Sequence, residues 1–365
     1  MKLTKNQKNT KAKPSASFSS RGAVGIDISQ DSIKMVQISG RSLNQIQLEK
    51  YVVVKLPKNI IKGARIQDYD QLVSYLQHAY TQLHTNNRNI VAAMPLTTTT
   101  IETVVYNPKE TDMDLEDFAE FELSQFSALD EVNYDFQKMG NSVSPPGRRV
   151  LLVVSRKDEV EPRLEAFDSA NLSPQFLDVD IFAQANAFSY WINQQSPELA
   201  NEKVAAINIS GSEMYALVLQ NGEILYKQES PLGGEQLNQL IQRTYQVSED
   251  QALAMQRSGD RPSDYQAQIA DRFNIQVAQE IQRMLQFYYT TQPSDQFASV
   301  KHIFLTGVAS LQPGLPEAVF SQTNTSTECV HPAIYTSAGN KVDLSELQHV
   351  AAELTIAFGL ALRGL

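Results

Sequence analysis

Val24-Gly25-Ile26-Asp27-Ile28-Ser29 opens a segment of strand character that Ile33, Met35 and Ile38 continue. Residues 40–44 then turn the chain, and Ile46 to Lys55 return it. A shift of 181 residues finds the same arrangement in Ala205-Ala206-Ile207-Asn208-Ile209-Ser210, a continuation from Met214 to Gln220, a turn at Asn221-Gly222 and a return from Glu223 to Glu229. Asn-Gly between two such runs is a strong short-range hairpin signal. Each copy reads strand, tight turn, strand, turn, strand, and the offset is close to half of the 365 residues. Equivalent turns at half-length spacing point to a duplicated unit.

The intervening sequence supports two similar α/β halves. Ile90 to Met94, before Pro95, and Ile303 to Thr306, before Gly307, are short apolar runs of the kind buried in parallel sheets. Helical periodicity runs over Tyr69 to His84, Leu237 to Tyr245 and Phe273 to Tyr289. Each half ends in a helix carrying small residues: Asp178 to Trp191 with Ala183, Ala185 and Ala187, and Val350 to Leu362 with Ala351, Ala352, Ala357, Gly359 and Ala361. Small residues let two helices approach closely, as an interdomain hinge requires. An ordinary alanine-rich core helix has the same pattern.

Composition agrees with two domains. The chain is 42% hydrophobic with a formal net charge of −10, which excludes a fibrous or wholly disordered chain. The longest apolar stretch, Ala351 to Leu362, is interrupted by Glu353 and Thr355 and falls short of the roughly 20 residues that cross a bilayer. A single cysteine, Cys329, excludes an intramolecular disulfide framework, and the five histidines show no metal-ligand spacing. Residues 1–22 hold six cations (Lys2, Lys5, Lys8, Lys11, Lys13, Arg21) and no acid, which leaves −16 on the remainder. This basic tail has no apolar core of a secretory signal, and its Ser, Asn, Gln and Pro content predicts disorder. It could touch anionic lipid, where each Lys near the surface contributes about 1 kcal/mol, or remain solvated without a partner. Nucleic acid is disfavoured because the −16 body repels phosphate.

A strand that ends in Asp before a tight turn places a carboxylate and several backbone N–H groups at one end of a sheet. Such a turn can hold phosphate oxygens while the carboxylate orients metal-bound water. Asp27, Ser29 and Ser32 have these residue types, and Asn208, Ser210, Gly211 and Ser212 occupy the mirrored place. Leu305-Thr306-Gly307 through Pro313-Gly314-Leu315 is a third strand-to-loop transition suited to a flat ligand. A plain β-turn explains each of these taken singly. Neither GxxxxGK[ST] nor GxGxxG occurs, so neither a P-loop nor a dinucleotide fold is supported.

In this order the motifs resemble the actin-like ATPase superfamily, and most closely its PilM family of type IV pilus assembly proteins, itself similar to the division protein FtsA. The resemblance rests on Val24 to Ser29, Ala206 to Ser212, Pro231-Leu-Gly-Gly-Glu-Gln-Leu237, Leu305 to Leu315 and Leu354-Thr-Ile-Ala-Phe-Gly-Leu-Ala-Leu-Arg363, and covers residues 22–365. It implies a two-lobed α/β fold of duplicated, ribonuclease-H-like halves, the first at 23–199 and the second at 200–365. It also implies a small α+β subdomain inserted at about 97–161 and a second insertion at about 234–299. The sequence agrees for the first insertion, with a strand at Thr100 to Tyr106, an acidic helix at Asp114 to Ser127, a strand at Arg149 to Ser155 and an exposed loop at Asn141 to Gly147 containing Pro145-Pro146.

The resemblance further implies ATP in the interlobe cleft, near the two turns and Gly233, Gly234, Gly307 and Val308, with Mg held through water by Asp27. Three departures weaken that expectation: Asn208 stands where the family has Asp, Ser210 where it has Gly, and Val308 where it has a second Gly. Asn carries no charge to orient metal-bound water, and loss of such a partner typically costs about 10- to 100-fold in metal affinity or activity. Weakened nucleotide binding and negligible turnover follow as expectations.

Three functions fit. A PilM-like scaffold, at the cytoplasmic face of the bacterial inner membrane, would bind the N-terminal cytoplasmic peptide of a PilN-like membrane protein beside the inserted subdomain. Candidate walls are Ile101, Val104, Val105, Phe118, Phe121, Leu123 and Phe126, residues that equally suit the subdomain's own core. An actin-fold kinase or phosphatase would need a carboxylate base among Asp27, Asp178 and Asp180. An FtsA-like division protein would carry a C-terminal amphipathic anchor, whereas this sequence stops at Arg363-Gly364-Leu365.

Overall fold

Strand formation begins where apolar alternation and β-branching predict it. The computed structural model describes residues 22–143, 147–257, 260–291 and 299–365. The basic tail up to Arg21 and Pro145-Pro146 of the predicted loop lie outside the described residues, as do 292–298 of the expected second insertion.

The first half starts with β1 (Ala23–Ile28), β2 (Ser32–Gly40) and β3 (Ile46–Lys55), paired antiparallel in sequence. A short hairpin of β4 (Ile61–Lys62) and β5 (Arg65–Ile66) leads into α1 (Tyr69–Gln82), capped by Asp68, whose side chain accepts from the Gln71 N–H. β6 (Ile90–Met94) lies parallel to β1. The small subdomain follows: β7 (Thr99–Tyr106), α2 (Leu115–Ser124) capped by Asp114, β8 (Val132–Val143) and β9 (Gly147–Arg156), in sheet order β7-β9-β8. Then α3 (Lys157–Ser169) packs onto the first lobe, and β10 (Phe176–Val179) runs parallel to β6 before α4 (Asp180–Gln195). β8 goes beyond the expected strands, although Val132 to Gln137 alternates apolar with polar as a half-buried strand does.

The second half repeats the plan. β11 (Val204–Ile209), β12 (Met214–Gln220) and β13 (Glu223–Ser230) form an antiparallel meander. Asn221 and Gly222 both take positive φ, 53° and 77°, as a type I′ hairpin requires. Three helices, α5 (Gly234–Tyr245), α6 (Glu249–Arg257) and α7 (Asp271–Thr290), follow in place of strands. β14 (His302–Thr306) lies parallel to β11, and α8 (Leu315–Thr323) leads to β15 (Ser326–Cys329), parallel to β14. β16 (Ser337–Ala338) returns to pair with β3, and α9 (Leu344–Val350) and α10 (Thr355–Arg363) end the chain. The two large sheets have the orders β10-β6-β1-β2-β3-β16 and β13-β12-β11-β14-β15. The predicted helix from Val350 is broken by a 3-10 turn at Ala351–Glu353 and starts at Thr355.

The two half-ending helices fill the space between the sheets. α10 packs on the first sheet, where Ala357, Phe358 and Ala361 join Val36, Ile38 and Leu48. α4 is apolar on two faces. Ala187 and Tyr190 join that same cluster, while Ile181, Ala185, Phe188 and Trp191 pack on Ala206, Leu217 and Phe304 of the second sheet. Gln184 Nε2 donates to the Ala206 carbonyl at 3.1 Å, so α4 is also tied to the second lobe by a buried hydrogen bond. The close approach expected from small residues occurs at Gly359, where an added Cβ would lie 1.8 Å from the Ala183 carbonyl oxygen.

Candidate functional site

The duplicated turns match in their backbone hydrogen bonds as well as their sequence. Ser29 N–H donates to the Ser32 carbonyl at 3.0 Å, while its hydroxyl donates to the nearer Asp31 Oδ1 at 2.6 Å. At the 181-residue offset, Ser210 N–H and Oγ donate to the Glu213 carbonyl at 2.9 and 2.8 Å. Both turns sit at the ends of central strands and line a cleft of about 410 Å³ between the lobes. Asp27, Ser29, Asn208, Ser210, Gly211, Gly307 and Val308 all line it. Ser32, Ser212, Gly233 and Gly234 do not: Ser32 is buried behind the first turn, and Gly233 packs directly on the second, where a Cβ would lie 2.7 Å from the Glu213 nitrogen. Gly307 has φ of 92°, and a Cβ there would meet the Ile209 carbonyl at 2.3 Å and Asn208 Oδ1 at 2.4 Å.

The cleft also holds residues that turn motifs alone could not identify. Lys34 lies opposite Asp27 in the β1–β2 register, and its ammonium meets Asp27 Oδ2 at 3.1 Å and Ser29 Oγ at 2.8 Å. Burial disfavours the charged form of Lys34, but Asp27, Asp31 and Glu353 outweigh it and raise its pKa. Glu353 pairs with Arg257 at 2.8 Å across the other wall, and burial raises its carboxyl despite Arg257 and Lys34. Asp180 accepts from the Leu96 and Ile181 N–H groups, yet burial pushes it up to about 8. Burial likewise raises Glu213 despite its Tyr215 partner.

The carboxylates suggested for an enzyme are not assembled as one site. Asp27 and Asp180 face this cleft, whereas Asp178 lines a different cavity, 3.7 Å from the Arg363 guanidinium. Asp27, the residue expected to hold Mg through water, is paired with Lys34. The first N–H groups of α5, which could face an anion, are consumed by the second turn: Gly234 N–H donates to Ser210 and Glu235 N–H to Gly211, at 2.8 and 2.7 Å.

The second cavity, about 850 Å³, is a groove between the small subdomain and the second lobe. Its floor is apolar, with Ile101, Leu151 and Val153 from the subdomain and Val179, Ile181, Phe182 and Ala185 from the β10–α4 junction. Its two banks are β8 (Asp135 to Gly140) and β13 (Glu223 to Lys227), each the terminal strand of its sheet. Arg149 and Glu223 approach to 3.9 Å across it. Of the predicted walls, Ile101 lines the groove and Val105, half exposed, is on the same face of β7. Val104, Phe118 and Leu123 belong to the subdomain's own core, on the opposite face of that sheet. Phe121 and Phe126 are exposed beside that core and line neither cavity. Helical spacing showed an aromatic face on α2 but not which side of the sheet the helix would cover.

Comparison with known proteins places this arrangement. The structure is similar to the chain of a "PilM-PilN type IV pilus biogenesis complex", with a TM-score of 0.77 and 22% identity, covering 95% of this chain and 99% of that one. It is also similar to the ethanolamine utilization protein EutJ from Carboxydothermus hydrogenoformans, with a TM-score of 0.56 and 13% identity over 93% of this chain and 88% of that one. A third match is MreB5 of Spiroplasma citri bound to ADP, with a TM-score of 0.50 and 8% identity over 91% and 95% of the two chains. The fold is therefore that of the actin-like ATPases. Residues 25–365 match the family described as type IV pilus assembly protein PilM, and the chain belongs to that family.

Proposed function

We propose that this protein is a scaffold of the type IV pilus assembly machinery that captures an extended segment of a PilN-like partner in the groove between β8 and β13. The observation that carries this reading is the pairing of two terminal strands across one apolar-floored trough. Terminal strands present unpaired N–H and C=O groups, and an extended peptide laid between them satisfies these groups while its alternate side chains reach the floor. The occupant is the N-terminal cytoplasmic peptide of the PilN-like protein, which places the scaffold at the cytoplasmic face of the inner membrane. The basic tail adds a salt-sensitive contact with anionic lipid. Nucleotide, ATP included, binds weakly in the interlobe cleft and is not turned over at a useful rate.

Fluorescence anisotropy with a labelled N-terminal peptide of the PilN-like partner tests the groove. Thr103 is exposed and its strand position faces the trough, so Thr103→Arg should abolish capture while leaving the fold intact. Peptide binding that survives T103R would remove the groove from consideration, and no binding by the unaltered protein would refute the scaffold itself.

A further inference from the structure

The first turn is built as an anion site, and it already holds an anion. Asp31 Oδ1 accepts from the Ser29 hydroxyl at 2.6 Å and from the Ser32 hydroxyl at 3.1 Å. Asp31 keeps solvent access, and Lys34 with the two hydroxyls holds its carboxyl below the usual range. Of these donors, the Ser29 hydroxyl and the Lys34 ammonium line the cleft and are groups a phosphate oxygen would use at such a turn. Asp31 also reaches across the cleft: a Cβ on Gly211 would lie 2.6 Å from Asp31 Oδ2, so the carboxylate is seated against the second turn. Its own backbone is fixed, because the Asp31 carbonyl accepts from the Leu56 N–H at 2.8 Å.

We infer that Asp31 is an internal stand-in for phosphate, a residue that sets the cleft against polyphosphate ligands by filling their place between the two turns. The inference deepens the weak-nucleotide part of the function proposed above and supplies its cause. A polyphosphate entering the cleft must displace a carboxylate from its donors or sit beside it as a like charge, and at this range in partly desolvated surroundings either is costly. Asn208, Ser210 and Val308 are then secondary to a single residue of the first turn. Lys34 is held by Asp27 and Ser29 without ligand, and the Asp31 carboxylate lies close against Gly211 of the second turn.

Isothermal titration of the full-length protein with ATP and magnesium tests this. Asp31→Asn removes the charge and keeps the size, and Asp31→Ser removes both. Glu159→Gln removes a different carboxylate that lines the same cleft away from the turn. D31N and D31S should bind ATP at least about tenfold more tightly than the unaltered protein, with E159Q unchanged. Thermal melts of the three variants establish that each is folded, and inorganic pyrophosphate should raise the melting temperature of D31N but not of the unaltered protein. The inference is overturned if folded D31N and D31S bind no more tightly than the unaltered protein, or if E159Q gains as much, which would make general cleft charge the cause. Micromolar binding by the unaltered protein would remove the weak-nucleotide reading together with it. Peptide capture by the same samples is independent of Asp31, so failure of the scaffold reading is separately visible.

Discussion

Replacing Gly359 by Ala probes the contact on which the association of the two lobes rests. The added methyl would lie 1.8 Å from the Ala183 carbonyl oxygen and 3.0 Å from the Ala183 Cα. Ordinary contact would require α4 and α10 to part by roughly 1.5 Å. Both intruded atoms are backbone, so no rotamer change relieves them. Alanine gains about 1 kcal/mol over glycine as a helix former, while overpacking costs about 1–3 kcal/mol and more where the backbone must shift. Parting the helices also loosens packing on both sides, because α4 is shared between the cluster around Phe358 and the cluster around Phe304. The expected net loss is about 2 kcal/mol or more. Equilibrium unfolding in urea, followed by fluorescence, reads it directly: Trp191 is the single tryptophan, sits on α4 and meets the Phe304 ring edge-on at 5.0 Å. Gly140→Ala is the control, since a Cβ there meets only Glu223 Oε1 at 3.9 Å, and its cost should stay within about 0.5 kcal/mol. An unchanged midpoint for G359A, or an equal loss in G140A, would refute the argument that backbone proximity between these helices holds the lobes together.

Two further outcomes follow from the cleft. Lys34→Met leaves the Asp27 carboxylate buried without its cation and should lower unfolding free energy by about 3–5 kcal/mol; adding Asp27→Asn should recover much of it, and a single variant as stable as the parent would dissolve the pair's role. Asp180 titrates at about 8 in the folded protein, above the roughly 3.9 of an unfolded aspartate, so folding favours its protonated form. Its stabilising contribution is complete below about pH 4 and is lost as pH rises toward 8. Asp180→Asn should therefore lose less stability than the parent between about pH 5 and 8, measured by urea midpoints, and identical pH slopes would contradict the assignment.

The elements visible in the sequence share one property: their apolar periodicity is set by local burial. β1, β6, β11 and β14 lie in sheet interiors, so each reads as a short apolar run, and Asn221-Gly222 declares its turn through the φ it requires. β8 carried its signal too: Val132-Asn133-Tyr134-Asp135-Phe136-Gln137 alternates apolar with polar, and Val132, Tyr134 and Phe136 pack on the subdomain core, so the strand was legible there although it is not among the expected elements. α5 begins three residues before its first periodic apolar residue, Leu237, because Gly233 and Gly234 are retained for close packing on the second turn.

The same distinction holds for the cleft. Its turns were legible because hydrogen bonding between Ser29 and Ser32, and between Ser210 and Glu213, depends on residues three apart. Lys34 could have been found by carrying the antiparallel register outward from that turn, since Ile28 faces Ile33 and Asp27 must then face Lys34. Glu353 and Arg257 could not, because they reach the cleft only when the tertiary fold closes. Asp31 is the instructive residue. In the sequence it is a turn aspartate like any other, and its meaning arises only when Gly211 of the other lobe is brought against it. Duplication thus preserved the geometry of both turns while their contents diverged: one kept a carboxylate and its lysine, the other kept a glycine narrow enough to receive that carboxylate. A fold shared with an ADP-bound protein can in this way set its two turns against each other through a side chain of its own, which is what the weak nucleotide binding proposed above requires.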